Sequence, residues 1–378
     1  MDLLLLAQDV TWGGRTGDAV HLRELARQLV RRGHAVRVVA RGGSDSGRAA
    51  VDGVRFCPIR SSFNLAFVRA VADRRPDLVY SRSFGDVGEA LAARALGLPI
   101  VFEVNGDFLA ERESQLGRSL TVAGRGWAVR ASRRGFRLAR SVVAVTETLR
   151  RRLSEDFHVP PDRLRVVPNA ADTDLFRPMP SDAARRTLGV PVGGPVVLFV
   201  GNLAGWQGVP FLLRAFAELV RTRPDAVLLI VGGGQADAEL RALAADLGIH
   251  PHVRFVGPVV YEEVPRHIAA ADVCTAPMTR ERLRSGSSAI KVYEYLACGR
   301  PVVASRIPGL EFLESEDLGK LVPPEDAHAL AAALEGVLSD AAWRRAAGER
   351  GRAFVLEHAS WAAVAARVED ACRSAVAS

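Results

Sequence analysis

Apolar residues follow two alternating rhythms along this chain: short continuous runs, and longer stretches where they return every three or four positions. The first rhythm belongs to strands buried on both faces, the second to helices with one apolar face. Leu3 to Ala7 forms the opening strand, with Gly13, Gly14 and Gly17 in the turn after it. Asp18 caps a helix that sets Leu22, Leu25, Ala26, Leu29 and Val30 on one face, and Gly33 ends it. Ala35 to Ala40 gives the next strand, and others follow at Leu78 to Tyr80, Ile100 to Val104, Ser141 to Val145 and Leu164 to Val167. The stretch from Pro168 to Pro180 has little periodicity and the composition of a linker. A second series then places strands at Val196 to Val200, Val227 to Val231, Val253 to Val256, Val273 to Ala276 and Pro301 to Ala304, before a final amphipathic helix over Trp361 to Ala377.

Strands alternating with amphipathic helices predict parallel sheets with crossover helices. At 378 residues the chain exceeds the size at which one core keeps growing, so two such domains are expected. Residues 1–175 form the first, joined by the closing helix over 360–378, and residues 176–359 form the second. Doubly wound sheets bind ligands outside the carboxyl ends of their strands, and two of them facing each other suit a transfer reaction.

Composition narrows the class. Hydrophobic residues make up 48% and charged residues 25%, ordinary for a globular chain with a full core. The opening Met1-Asp2-Leu3-Leu4-Leu5-Leu6 carries an acid, and its apolar run is too short for a signal peptide or membrane span. Cys57, Cys274, Cys298 and Cys372 are scattered without metal-ligand spacing, so neither a disulfide framework nor a zinc site is expected, and the expected compartment is the cytoplasm. The net charge of +7 rests almost wholly on Arg, with Lys only at 291 and 320. Without an aromatic-interleaved basic patch, no nucleic-acid partner is expected. The Arg-rich stretch over 125–152, with Trp127 and Phe136, has two readings: a solvated helix face, or a basic face for anionic lipid at the inner side of a membrane. Oligomeric state is not legible.

Several segments, in order, resemble the family-4 retaining glycosyltransferases. They are Gly13-Gly14 with His21-Leu22-Arg23-Glu24-Leu25-Ala26; Arg32-Gly33-His34-Ala35-Val36; Val167-Pro168-Asn169 through Phe176; Phe199-Val200-Gly201-Asn202-Leu203 with Gln207-Gly208; Phe255-Val256-Gly257; and Lys291-Val292-Tyr293-Glu294 through Ser305. The resemblance implies the α/β GT-B fold, two Rossmann-like doubly wound domains facing a central cleft. It implies sugar transfer from a nucleotide-diphosphate sugar to a small-molecule or lipid-linked acceptor, with retention. No cofactor or catalytic metal is implied beyond the nucleotide sugar as co-substrate, and Asp172-Thr173-Asp174, which mimics a metal motif, lies in the linker.

On this footing Glu294 accepts the ribose hydroxyls of the donor; its plain alternative is a helix-surface Glu. The segment Gly286-Ser287-Ser288 before Ile290 lies at a helix N-terminus, a natural phosphate site. The chain departs from the family at Gly286, where an acid is usual, and at Asn202 and Gln207, where many members carry the Arg and Lys that stabilise the leaving diphosphate. Arg280, Arg282, Arg284 and Lys291 are the candidate replacements, or the helix dipole and amides serve alone; Lys291, one turn before Glu294, can reach the same side of the site, against a solvated surface Lys. Arg254 and Val259 are candidates for the base pocket, and Gly14 for a close approach of backbone to phosphate. Asn105 stands where relatives carry a His; an amide positions a sugar hydroxyl but is no general base. Gly13, Arg82, Glu103 and Asn105 form the acceptor side, with Arg82 either holding an acceptor or pairing with Glu103. Thus Asn105, Lys291 and Glu294 are the expected catalytic set. A catalytically silent binding or partner subunit, and a nucleotide-sugar epimerase or phosphorylase of related fold, are the competing functions.

Overall fold

The structure is a computed structural model that describes residues 1–14, 16–42, 53–59, 63–106, 121–285 and 288–377. Its strands form two wholly parallel sheets. The first contains β1 (Asp2–Trp12), β2 (Ala35–Gly42), β3 (Val54–Ile59), β4 (Leu78–Ser81), β5 (Ile100–Val104), β6 (Ser141–Ala144) and β7 (Leu164–Val166), in the order β3-β2-β1-β4-β5-β6-β7. The second contains β8 (Val196–Val200), β9 (Val227–Val231), β10 (Val253–Gly257), β11 (Val273–Ala276), β12 (Val302–Ser305) and β13 (Gly319–Val322), in the order β10-β9-β8-β11-β12-β13. Strand order reverses between β1 and β4 in one sheet and between β8 and β11 in the other. At such a switch point two crossovers leave in opposite directions and open a crevice.

The central strands are apolar throughout because helices cover both faces. In β8, Val196, Leu198 and Val200 enter one core layer, while Val197 and Phe199 enter the other. The helix Val209–Thr222 seals the second layer with Val209, Leu212, Leu213, Phe216 and Leu219, spaced to one face. Truncating Leu212, wholly buried there, should cost about 2–5 kcal/mol.

Three departures from the sequence pattern have physical causes. β1 runs on to Trp12 because its register to β2 shifts after Ala7, so that Thr11 pairs with Arg41 and Trp12 with Gly42. β3 and β13 carry no apolar run of their own, yet each completes a sheet. Both are edge strands paired on one side only, which tolerates Pro58 in the partly exposed β3 and the exposed Lys320 in the otherwise buried β13.

The chain divides into two compact units, residues 1–169 with 285–288 and 361–378, and residues 170–284 with 289–360. The boundary falls at 169/170, not 175/176, because Ala171 and Phe176 are fully buried in the second unit's core. Residues 285–288 join the first unit, where the Ser288 hydroxyl accepts the Asn169 amide at 2.9 Å. The helix Trp361–Ala377 also belongs to the first unit: Trp361 meets the His21 ring edge-on at 4.9 Å, and Glu369 accepts from Arg32 and Arg373. No helix among the described residues is long and apolar enough to cross a membrane.

Candidate active site

In the second unit the crevice at the β8/β11 switch point is closed from beneath by the helix Ile290–Ala297. Tyr295 pins that helix: its hydroxyl accepts the Val200 amide at 2.8 Å at the end of β8 and lies 3.4 Å from the Thr275 carbonyl in β11. One turn earlier the Lys291 ammonium rises to the strand end. It donates to Gln207 Oε1 at 2.6 Å, and Gln207 Nε2 donates in turn to Asn202 Oδ1 at 2.7 Å. The Phe199 ring centroid lies 4.2 Å from the same ammonium, a cation–π contact. Gly201 makes room: a Cβ there would stand 2.7 Å from Lys291 Nζ. Glu294, buried on the same helix, accepts the Tyr261 hydroxyl at 2.8 Å through Oε1.

Neither charge is fully compensated. Burial lowers the Lys291 pKa to about 7 against the pull of Glu294, and Arg282, stacked 3.8 Å over the Trp206 ring, pushes the same way as burial. Burial likewise raises Glu294 to about 7, opposed by the Tyr261 hydrogen bond and by Lys291. The pair is therefore poised near neutrality, which an arriving anion or hydroxyl donor can shift.

The first unit has a different centre. Glu103, in β5 and fully buried, takes four side chains: His21 Nε2 at 3.0 Å, the Tyr80 hydroxyl at 2.5 Å, Arg82 Nε at 3.0 Å and Asn105 Nδ2 at 2.7 Å. Burial alone would raise its pKa, but His21 and Arg82 outweigh that and hold the carboxylate far below the usual range. Behind His21 stands Asn169, whose Oδ1 meets His21 Nδ1 at 2.6 Å while its Nδ2 donates to the Ser288 carbonyl at 2.5 Å. The amide orientation is thereby set, and both His21 nitrogens face side-chain oxygens. Asn105 keeps its Oδ1 buried, with no partner among the described residues.

The expected donor residues divide. Asn202, Gln207 and Lys291 form one contiguous chain, and Ile290 opens the helix that carries Lys291 and Glu294. Lys291 and Glu294 share a helix face, yet each is bonded to a neutral partner rather than to the other. Val259 packs against the core two residues before Tyr261. Arg254 does not join them: at the amino-terminal part of β10 it donates to the Gly189 carbonyl and holds the end of the helix Ser181–Leu188. Ser288 is buried against Asn169, and Gly286 and Ser287 lie outside the described residues. In the first unit, Gly13 and Gly14 form the turn after β1, with the Gly14 amide on the Thr11 carbonyl at 2.9 Å. Arg82 pairs with Glu103 and also donates to the Asp18 carbonyl at 2.8 Å.

Sequence reasoning missed Tyr261, Tyr80, His21 and Asn169. A signal existed for His21, a polar residue beside Leu22 on a face otherwise apolar, and for Asn169, which sits where strand periodicity stops. Tyr80 and Tyr261 read as ordinary apolar positions.

Two doubly wound domains, each with polar side chains at a switch point, define the class of GT-B nucleotide-sugar enzymes. Residues 16–175 match the family model described as Glycosyltransferase Family 4, and residues 194–340 match that of Glycosyl transferases group 1. The D-inositol 3-phosphate glycosyltransferase of Kineococcus radiotolerans is 32% identical over 96% of this chain and 92% of the relative. That of Acidothermus cellulolyticus is 36% identical over 73% of this chain, and the match spans 63% of the relative's length. In solved structures, Anabaena HepE in complex with UDP superposes with a TM-score of 0.79 at 21% identity, covering 99% of this chain and 100% of that one. HepE in complex with UDP-glucose gives 0.77. The chain belongs to the family-4, group 1 glycosyltransferases.

Proposed function

We propose that this chain transfers a sugar, with retention of configuration, from a nucleotide-diphosphate sugar to a small-molecule or lipid-linked acceptor. The observation that carries this reading is the Lys291–Gln207–Asn202 chain at the end of β8, one helical turn from buried Glu294. A half-neutral ammonium with a single hydrogen-bond partner gains most when a diphosphate arrives. Lys291 then stabilises the leaving group, where relatives use a basic pair. Glu294 takes the ribose hydroxyls in exchange for, or beside, Tyr261.

On the acceptor side, the Oδ1 of Asn105 is free to accept a sugar hydroxyl while Glu103 fixes its orientation. Transfer on the same face of the sugar needs no protein base; the departing phosphate takes the acceptor proton. The UDP and UDP-glucose complexes of HepE support a nucleotide-sugar donor here. The inositol phosphate acceptors named for the relatives make a phosphorylated polyol one acceptor to try first.

Peripheral membrane contact at the cytoplasmic face is part of this proposal. On the helix Val122–Leu138, Val122 is 91% exposed and Trp127 63%, on a stretch otherwise rich in Arg. Sedimentation with vesicles containing phosphatidylserine should carry the protein down, and Trp127→Ala should release it.

The neutral pair Asn202 and Gln207 favours one rival reading, a silent binding subunit. Incubation with UDP-, GDP- and ADP-sugars distinguishes the two. Release of nucleoside diphosphate supports the enzyme; binding without turnover across the panel and an acceptor screen supports the rival. Glu294→Ala should weaken donor binding by about 10- to 100-fold, the loss of a charged hydrogen-bonding pair, and unchanged affinity would remove Glu294 from the site.

A further inference from the structure

The second unit carries a cleft of about 510 Å³ lined by four arginines, Arg300, Arg344, Arg345 and Arg352. It opens beside Gly299-Arg300-Pro301, just before β12, and beside Asp272, just before β11. It therefore sits at the amino ends of the strands, whereas Lys291 and Gln207 stand at the carboxyl end of β8. A strand of four or five residues separates the two edges by roughly 15 Å, so one diphosphate cannot occupy both.

The charge around this cleft is uncompensated. Elsewhere in the same unit arginines are paired: Arg185 with Asp272 at 2.7 Å, Arg223 with Glu335 at 2.8 Å and Arg350 with Asp317 at 2.6 Å. Three of the four cleft arginines donate only to backbone carbonyls. Arg352 serves Phe176, Ala297 and Thr173, Arg344 serves Val337 and Leu338, and Arg300 serves Ala269. Arg345 is exposed and makes no side-chain hydrogen bond or ion pair among the described residues. Two carboxylates also line the cleft. Asp272 is spent on Arg185 and the Val196 amide, and Glu349 is exposed and forms no ion pair among the described residues. Each guanidinium has five N–H donors, so most remain free, and the buried Nε of Arg300 has no acceptor among the described protein atoms.

We propose that this cleft is a second anion site, for a small multivalent phosphate compound, distinct from the candidate donor site. Guanidinium forks match phosphate oxygens bidentately, and the volume is that of a small-molecule pocket. The site also touches the candidate active centre mechanically. Arg352 bonds the Ala297 carbonyl and Arg300 follows the same helix, whose first turn carries Lys291. An anion bridging these arginines would tie the far end of that helix to the helix Ala341–His358, from which Arg344, Arg345 and Arg352 project.

Calorimetric titration with inorganic pyrophosphate at about 0.15 M ionic strength tests this on the full chain. Wild type should show two binding events. Lys291→Ala should keep the one at the arginine cleft. Arg345→Glu, at an exposed position with no structural bond, should weaken that event by at least about tenfold while the other persists. A single event that Arg345→Glu leaves unchanged would overturn the proposal, as would the loss of all pyrophosphate binding in Lys291→Ala. Should Arg345→Glu melt early, Arg345→Ala gives the same reading with a smaller charge change.

Discussion

Each unit of this protein buries a carboxylate near a switch point, and the two are treated in opposite ways. Glu103 receives donors from His21, Tyr80, Arg82 and Asn105, and its charge is locked on. Glu294 receives one neutral hydroxyl, and Lys291 beside it one neutral amide, so both are drawn toward their uncharged forms near pH 7. A saturated network is a fixed scaffold that positions what touches it. An unsaturated pair is costly in the free protein and is relieved by a ligand that brings the missing charge.

The sharpest way to break this contrast is to remove each centre in turn. Glu103→Ala leaves Arg82 buried without its counter-charge and His21 without a hydrogen-bond partner, and thermal or urea unfolding should show a loss of about 3–5 kcal/mol. A loss near zero would mean that Glu103 is not the scaffold described. Lys291→Met should do the reverse, leaving stability unchanged or raising it by about 1 kcal/mol because a buried, poorly paired charge is gone. The same variant should slow nucleoside diphosphate release on the order of 100-fold, with a smaller loss in donor affinity. A variant that both unfolds easily and turns over normally would reverse the roles assigned to the two centres.

Acidity offers a finer test. The folded pKa of Lys291 is lowered, so below about 7 its ammonium is charged and above it the charge is lost. Affinity for a nucleoside diphosphate should therefore decline as pH rises through about 7, and Lys291→Met should lose that decline and keep only the dependence set by Glu294. For stability the signs run against the usual pairing. Glu294, raised to about 7, makes the folded state bind the extra proton, so its contribution falls between its ordinary value of 4.5 and 7. Lys291, lowered from 10.5, makes the folded state bind fewer protons above 7, so its contribution rises from there upward. Together they place a stability minimum near neutrality, and in Lys291→Met a melting series should show the fall alone, levelling off with no rise above it.

The smallest expected effect belongs to Tyr261→Phe, which removes the only hydrogen bond that the Glu294 carboxylate accepts among the described residues. It should cost about 1 kcal/mol and move the Glu294 midpoint upward, measurable by titration of donor affinity. Tyr80→Phe, the matching change on Glu103, should leave that carboxylate ionised, since His21 and Arg82 remain.

What the chain discloses locally is the buried strand and the one-faced helix, because both are written in spacings of two and of three to four residues. Eleven strands with apolar runs of their own were legible on that basis, the edge strands β7 and β10 among them, and so was the placement of Lys291 and Glu294 on one helical turn. β3 and β13 were not, because neither carries an apolar run of its own and each is recruited by its neighbour's free backbone groups. The partners of the site were equally silent. Gln207 meets Lys291 across 84 positions, Tyr261 meets Glu294 across 33, and Asn169 meets Ser288 across 119. Arg254 shows the same limit from the other side, since it looked like a pocket residue and instead holds a carbonyl at the opposite part of its strand. Sequence by itself therefore determined which helix or strand displays a residue such as Lys291, Glu294 or Glu103. Only the tertiary structure decided which buried charge is matched and which is left wanting, because that depends on the loops a doubly wound sheet gathers at its switch point, and these come from distant stretches of chain.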